Sequence, residues 1–430
     1  MSALQPNTSR GRRFAGTAPS SKLLGATAVV SVAFLGANAL AYVFTVVAAR
    51  QLAPSSYGEL AALLSVLLVG SVPASGLQTA TALRLGGRRG DPGTLARLHA
   101  TSLQLGVAVC VLGFLLVPVL VQLLHLPAAT AALWLAALLL PQTMVQGYQG
   151  LLQGAGQYRR LGVLTLVFGT GKLVGGVAGL VVGGSPAAAL AGMCAAAVLA
   201  SVCGWLATGR PGLAGGTRAP VLAALRAAGA LLGFAVLLNL DLILARHHLP
   251  ADVTGEYAVA AIITKIAFWL PQGVGVVLLP KLADAGGRSR ALPAALAAVG
   301  GLGAVLTLGT ALVGEAALPL IGGAAYGGAL GSATWVFAAL GTLLALAQLM
   351  LFSGIAAADR LATVAVWSAA AVEALVVQFL SVTGRLTLVS LAGTALLTAV
   401  ALVATGLVRS RRARGATPVP LDEMVPAVGQ

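Results

Sequence analysis

The stretch Ala49-Arg50-Gln51-Leu52-Ala53-Pro54, followed by Gly58-Glu59-Leu60-Ala61, returns about 200 residues later as Ala245-Arg246-His247-His248-Leu249-Pro250, followed by Gly255-Glu256-Tyr257-Ala258. One extra residue separates Pro from Gly in the second copy. The register continues: Pro73 matches Pro271 to within one position, and Arg84 and Lys281 each lie 26 residues past their glycine. Each copy opens the second apolar span of its half, so the chain is an internal duplication. In a membrane protein, a duplication of this kind points to two bundles closing around a central pathway, and hence to transport.

Composition requires the membrane. With 58% hydrophobic and only 9% charged residues and a mean hydropathy of +0.96, the chain lies far from soluble domains, in which about a quarter of residues are charged. Runs of about 20 apolar residues predict twelve helices, near 23–48, 59–83, 99–122, 130–152, 161–183, 187–208, 227–245, 257–280, 292–313, 330–353, 362–383 and 387–408. The first is too long for a cleavable signal and lacks a clear cleavage pattern, and the repeat requires it as a helix.

Lys and Arg near span ends stay on the cytoplasmic side. Alternate segments collect 21 of the 26 basic residues, from Arg10, Arg12, Arg13 and Lys22 at the start to Arg409, Arg411, Arg412 and Arg414 at the end. The opposite side receives only Arg50, Arg246 and Arg385, while Lys172 and Lys265 fall inside spans. Both termini are therefore expected in the cytoplasm. The net charge of +15 reads as topology signal and headgroup contact rather than as a nucleic-acid surface.

Six spans per half is an even number, so the halves are expected to be parallel, related by an axis along the membrane normal. The expected organisation is a basic tail over 1–22, a six-helix lobe over 23–208, a Gly/Pro/Arg-rich linker over 209–226, a second six-helix lobe over 227–408 and a disordered tail over 409–430. No segment between spans is long enough to hold a soluble catalytic domain, so no catalytic residues are assigned.

Cofactor and metal signals are lacking in the sequence. Cys110, Cys194 and Cys203 have no Cys-x-x-Cys spacing and read as buried packing residues. The adjacent His247 and His248 point to different helix faces, and no further ligand is spaced to help them. Asn7-Thr8-Ser9 matches a glycosylation acceptor but falls in the expected cytoplasmic tail. Phe168-Gly169-Thr170-Gly171-Lys172 superficially matches a phosphate loop, but Leu166 stands where its first glycine is needed and Leu173 where Ser or Thr is needed. Transport is then downhill or tied to an ion gradient. The ladder Gly171, Gly175, Gly179 and Gly183 suits close helix packing, or backbone pliability for rocking.

Ionisable residues inside spans are costly and normally face a wet cavity or a partner. Lys172 lies 12 residues beyond Arg160 and Glu373 lies 13 beyond Arg360, equivalent mid-depth positions of opposite charge. Either Lys172 binds an anionic headgroup while Glu373 carries a coupling proton or sodium ion, or the two pair across the lobes. Asp241 and Lys265 lie at similar depth and either pair or serve cation and substrate. Arg50 and Arg246, at the outer boundary, either snorkel or receive phosphate as the substrate leaves. Gln142, Gln146, Gln149 and Gln153 recur at spacings of 4, 3 and 4, an amide stripe that suits hydroxyl-rich ligands, and Asn38 and Tyr42 on span one could extend it.

Several of these stretches resemble one family. Ala49-Arg50-x-Leu52-x-Pro54 with Tyr57-Gly58, Gly150-Leu151-Leu152-Gln153-Gly154 before Tyr158-Arg159-Arg160, Leu240-Asp241 with Ala245-Arg246 and Gly255-Glu256-Tyr257, and Pro319-Leu320 with Ala325-Tyr326 are similar to polysaccharide-repeat flippases. These form the Wzx-like branch of the multidrug/oligosaccharidyl-lipid/polysaccharide (MOP) exporter superfamily. The resemblance implies a two-lobed twelve-helix fold that moves polyprenyl-diphosphate-linked oligosaccharides, precursors of lipopolysaccharide or exopolysaccharide, across the bacterial inner membrane. It implies membrane lipids and the pathway's glycosyltransferases or polymerase as partners, and a cavity between spans one, two, four, seven, eight and ten. A cation-coupled small-molecule exporter of the same fold is the alternative, and a glycan polymerase or glycosyltransferase would need a long external loop that the sequence lacks.

Overall fold

Two sets of helices emerge in a computed structural model that describes residues 21–86, 91–215, 218–270, 285–326, 330–356 and 360–415. The first set is α1 (Ser21–Gln51), α2 (Pro54–Gly70), α3 (Val72–Leu85), α4 (Pro92–Leu123), α5 (Thr130–Gly154), α6 (Tyr158–Gly183) and α7 (Pro186–Ala207). The second is α8 (Arg218–His248), α9 (Ala251–Trp269), α10 (Ala285–Val313), the short α11 (Ala317–Gly322), α12 (Trp335–Ala356), α13 (Arg360–Val382) and α14 (Leu388–Gly415). α8 thus begins inside the expected linker, and α14 runs on into the expected tail. Pro271 and Lys281, which extend the repeat, lie outside the described residues.

The repeat turns fold alike because proline enters each helix where an unpaired N–H costs nothing. Pro54 opens α2 and Pro250 precedes α9. Span two is longer than the sequence predicts and is broken at Ser71, with Pro73 in the first turn of α3.

Ten segments among the described residues are long and apolar enough to cross a membrane. Of the remaining two expected spans, α5 is a full 25-residue helix whose glutamines lower its hydropathy, and α9 carries Asp252, Glu256 and Lys265. Large apolar side chains such as Leu115, Val182, Leu312 and Phe379 face outward, as a multi-pass membrane protein requires.

Small residues set how closely the helices approach. The ladder on α6 lies against α7: a Cβ on Gly175 would collide with the Gly192 carbonyl, and one on Gly179 with that of Ala188. This is the tight small-residue packing of membrane helices. The cysteines depart from expectation: Cys194 is buried and Cys110 partly so, but Cys203 is exposed on α7.

At the end that carries both repeat turns, the two lobes meet along α2 and α9. Gly58 and Gly255, the matching glycines of the repeat, face one another there, and a Cβ on Gly255 would collide with the Pro54 carbonyl. Tyr57, Leu60 and Leu63 of α2 join Tyr257, Val259, Tyr326 and Phe337 in one core that crosses the seam. The Tyr57 and Tyr326 rings meet edge to face at 6.3 Å.

Candidate substrate cavity

Beneath this seal lies a cavity of about 470 Å³. Its walls are helical stripes of the kind that a 3.6-residue period predicts: Phe34, Asn38, Tyr42 and Thr45 on α1; Leu161, Thr165, Phe168 and Lys172 on α6; and Ala258, Ile262, Lys265 and Trp269 on α9. α2, α3 and α5 complete it, while α7 and α8 each contribute one residue, Met193 and Leu242.

The expected lining by span ten is therefore corrected, and that by span seven is reduced to Leu242. α6, the fifth span, takes the tenth span's place because Gly169 lets it approach Ala37 of α1 closely. The tenth span, α12, is drawn behind α9, where Gly341 packs against the Thr264 carbonyl.

Lys172 and Lys265 are the charged residues among the described lining, and they come from opposite lobes. Lys172 Nζ lies 3.4 Å from Gln142 Oε1 and 5.3 Å from the centre of the Phe168 ring. Lys265 shares its wall with Tyr42, whose hydroxyl donates to the Lys265 carbonyl at 3.0 Å and so ties α1 to α9.

The amide stripe on α5 is only partly in the cavity. Gln146, Gln149 and Gln153 line it, whereas Gln142 is buried behind Lys172. Each lining glutamine has a polar neighbour on another helix. Ser75 Oγ donates to Gln146 Oε1 at 3.0 Å, Gln149 Nε2 donates to Thr165 Oγ1 at 3.2 Å, and Gln78 Nε2 donates to Gln153 Oε1 at 3.3 Å. Ser75, Gln78 and Thr165 were not singled out from sequence; the spacing of Ser75, Gln78 and Thr79 along an apolar span was the available signal.

Asp241 and Glu373 sit apart from the cavity. Asp241 accepts from the Tyr257 hydroxyl at 2.9 Å and from the Leu242 N–H at 2.8 Å. Glu373 on α13 is buried near it, and its Oε1 has no hydrogen-bond partner among the described atoms. Neither expected ion pair forms among the described residues. Lys172 and Glu373 face different surroundings, and Lys265 lies only within electrostatic range of Asp241.

Arg50 and Arg246 do not reach the cavity. Arg50 donates to the Leu320 and Ile321 carbonyls of α11 at 2.6 and 3.1 Å. Arg246 donates to the Leu124 and His125 carbonyls at the end of α4 at 2.9 and 3.4 Å. Each guanidinium thus bonds backbone of the other lobe at this end rather than lining the cavity, while Arg246 Nη1 has no hydrogen-bond partner among the described atoms. His247 and His248 are joined by His125 in a ring cluster, yet no group of three metal-ligating side chains among the described residues is placed to hold an ion.

No family model and no curated protein matches the chain. Solved structures do. An outward-facing multidrug resistance MATE family transporter of the MOP superfamily superposes with a TM-score of 0.65 at 15% identity, over 93% of this chain and 97% of that one. The chain has the MOP fold. The lipid II flippase MurJ, in its inward closed conformation, superposes with a TM-score of 0.71 at 10% identity, over 89% of this chain and 87% of that one. A MOP superfamily transporter from Pyrococcus furiosus, described as having a binding pocket of reversed polarity, gives 0.52 at 12% identity, over 89% and 95%.

Proposed function

We propose that this chain is a transporter that flips a polyprenyl-diphosphate-linked oligosaccharide across the bacterial inner membrane by alternating access, with both termini in the cytoplasm. The observation that carries this reading is the charge of the cavity: two lysines from opposite lobes, with no carboxylate among the described lining residues. An anionic headgroup bridging Lys172 and Lys265 would bond to both lobes at once and draw them together, so binding itself would favour closure. Gln146, Gln149 and Gln153, with Ser75, Gln78 and Thr165, would meet sugar hydroxyls, and Asn38 and Tyr42 would border them. The polyprenyl tail would stay in lipid.

Asp241 and Glu373 would carry a coupling proton or sodium ion, because a buried unpaired carboxylate is stable only when neutralised. The fold accommodates pockets of different charge, as the description of the Pyrococcus furiosus transporter indicates.

Deleting the protein should trap a lipid-linked oligosaccharide on the cytoplasmic leaflet, since its polar head does not cross hydrocarbon unaided. An unchanged lipid-linked pool would refute the reading. A second reading, a small-molecule exporter, has the aromatic lining of Phe34, Tyr42, Phe44, Tyr57, Phe168 and Trp269 in its favour. With two lysines in the cavity, its cargo would be neutral or anionic, and its mark would be raised sensitivity to such compounds on deletion.

A further inference from the structure

Arg50 and Arg246 occupy the same place in the two copies of the repeat, and each reaches across the seam to the carbonyls at the end of a helix in the other lobe. A helix leaves its last four carbonyls without intrahelical donors and carries partial negative charge there, so a guanidinium at that point is doubly favoured. The planar fork of arginine takes two neighbouring carbonyls at once, as both residues do here.

The two halves are built unequally. Arg246 is 6% exposed, its neighbour His247 donates from Nδ1 to the Leu123 carbonyl at 2.8 Å, and the buried Glu59 of the first lobe lies within electrostatic range of it. Three successive carbonyls, Leu123, Leu124 and His125, are thus held by two successive residues of α8. Arg50 holds two carbonyls of the short α11 and is itself exposed. Between the halves, Gly58 and Gly255 bring α2 and α9 into backbone contact.

We propose that Arg50 and Arg246 form a two-part latch that holds the outer end of the pathway shut, and that the buried Arg246 half dominates it. Separating the lobes at this end would break three buried or partly buried hydrogen bonds on the Arg246 side, two of them from a charged guanidinium, but would only return an already exposed arginine to water on the Arg50 side. The latch depends on the fold and on the lobes moving apart at this end, and not on the identity of the cargo.

Distances between spin labels test it without any substrate. Labels at Gln122→Cys and Ala251→Cys, both exposed positions on either side of the Arg246 half, are placed in a chain whose Cys110, Cys194 and Cys203 are replaced by Ala. A second pair, Gln51→Cys and Ala324→Cys, flanks the Arg50 half. Arg246→Gln should raise the ratio of open to closed outer ends on the order of tenfold or more, and Arg50→Gln by about fivefold at most. Arg246→Lys keeps the charge but loses the fork and should also open the end, so it takes over the measurement where the Gln variant does not accumulate. Unchanged distances in both Arg246 variants would overturn the latch, and an Arg50 effect equal to or larger than that of Arg246 would overturn its ranking. Widening of the unmodified arginine pair on adding inorganic pyrophosphate, lost in the arginine variants, would return both residues to anion binding and overturn the proposal. A lipid-linked pool unaffected by deletion would leave the label distances as they are, so failure of the cargo reading is distinguishable from failure of the latch.

Discussion

Lys172 and Glu373 hold equivalent places in the two lobes, at mid-depth in the helix that follows an arginine by about the same number of residues, yet the lobes have put them to different use. In the first lobe the charge looks into a cavity edged with amides and hydroxyls. In the second, the matching carboxylate is buried in the helix bundle beside Asp241 and Tyr257. The difference arises from packing around the duplicated helices. Gly169 lets α6 lean on α1 so that its polar stripe faces inward, whereas α12 packs behind α9 at Gly341. The duplicated scaffold thus sets a lysine at the cavity in one lobe and a carboxylate within the helix bundle in the other.

The largest effects should come from breaking the packing on which this contrast rests. Gly175→Leu drives a side chain into the Gly192 carbonyl and should abolish accumulation of folded protein, since such overpacking costs about 1–3 kcal/mol or more and the backbone has no room to yield. In the second lobe, Gly309 of α10 has open space around its missing Cβ, and Gly309→Ala should leave abundance unchanged or raise melting temperature slightly, by up to about 1 kcal/mol of helix propensity. Expression and thermal unfolding in detergent would measure both. Equal tolerance at the two positions would show that the lobes are packed alike.

Charge changes should come next. Lys172→Gln should reduce transport by about ten- to a hundredfold with protein level near normal, because the lost contact is with a charged ligand. Glu373→Gln should keep or raise stability, as it makes the buried side chain permanently neutral, while abolishing dependence on the coupling ion. A Lys172→Glu, Glu373→Lys double exchange should fail to restore transport, since the two residues do not meet. Rescue by that exchange, read as complementation together with protein level, would mean that they do pair.

The duplication, the helix count and the even, parallel arrangement were legible because they rest on hydropathy and on a short repeated motif, signals that act along the chain. Lys172, Lys265 and the amide stripe were legible as candidates because charge and amide inside an apolar span have few stable environments. Spans one, two, four and eight line the cavity as expected, but the place of span five there instead of span ten was not legible, because it depends on the close approaches at Gly169 and Gly341, and a glycine in sequence does not say which neighbour it admits. The partners of Arg50 and Arg246 were not legible for a related reason: they are backbone carbonyls more than a hundred residues away, and backbone carries no sequence signal.

Smaller effects should follow on the polar wall. Ser75→Ala and Gln146→Ala should each weaken apparent substrate affinity by about 0.5–1.5 kcal/mol, with less than additive loss in the double variant because they share one hydrogen bond. Equivalent changes at Thr394 or Thr398 in the second lobe, whose hydroxyls bond to their own helix, should leave affinity unchanged. A larger loss at the threonines than at Ser75 or Gln146 would move the sugar site into the second lobe.

The most direct test of the central claim is binding to the purified protein. A fluorescent polyprenyl diphosphate should bind in detergent or nanodiscs, be displaced by inorganic pyrophosphate, and lose affinity by about tenfold or more in both Lys172→Gln and Lys265→Gln. Undiminished binding in the Lys172→Gln, Lys265→Gln double variant, or preferential binding of a lipophilic cation to the unmodified protein, would contradict it.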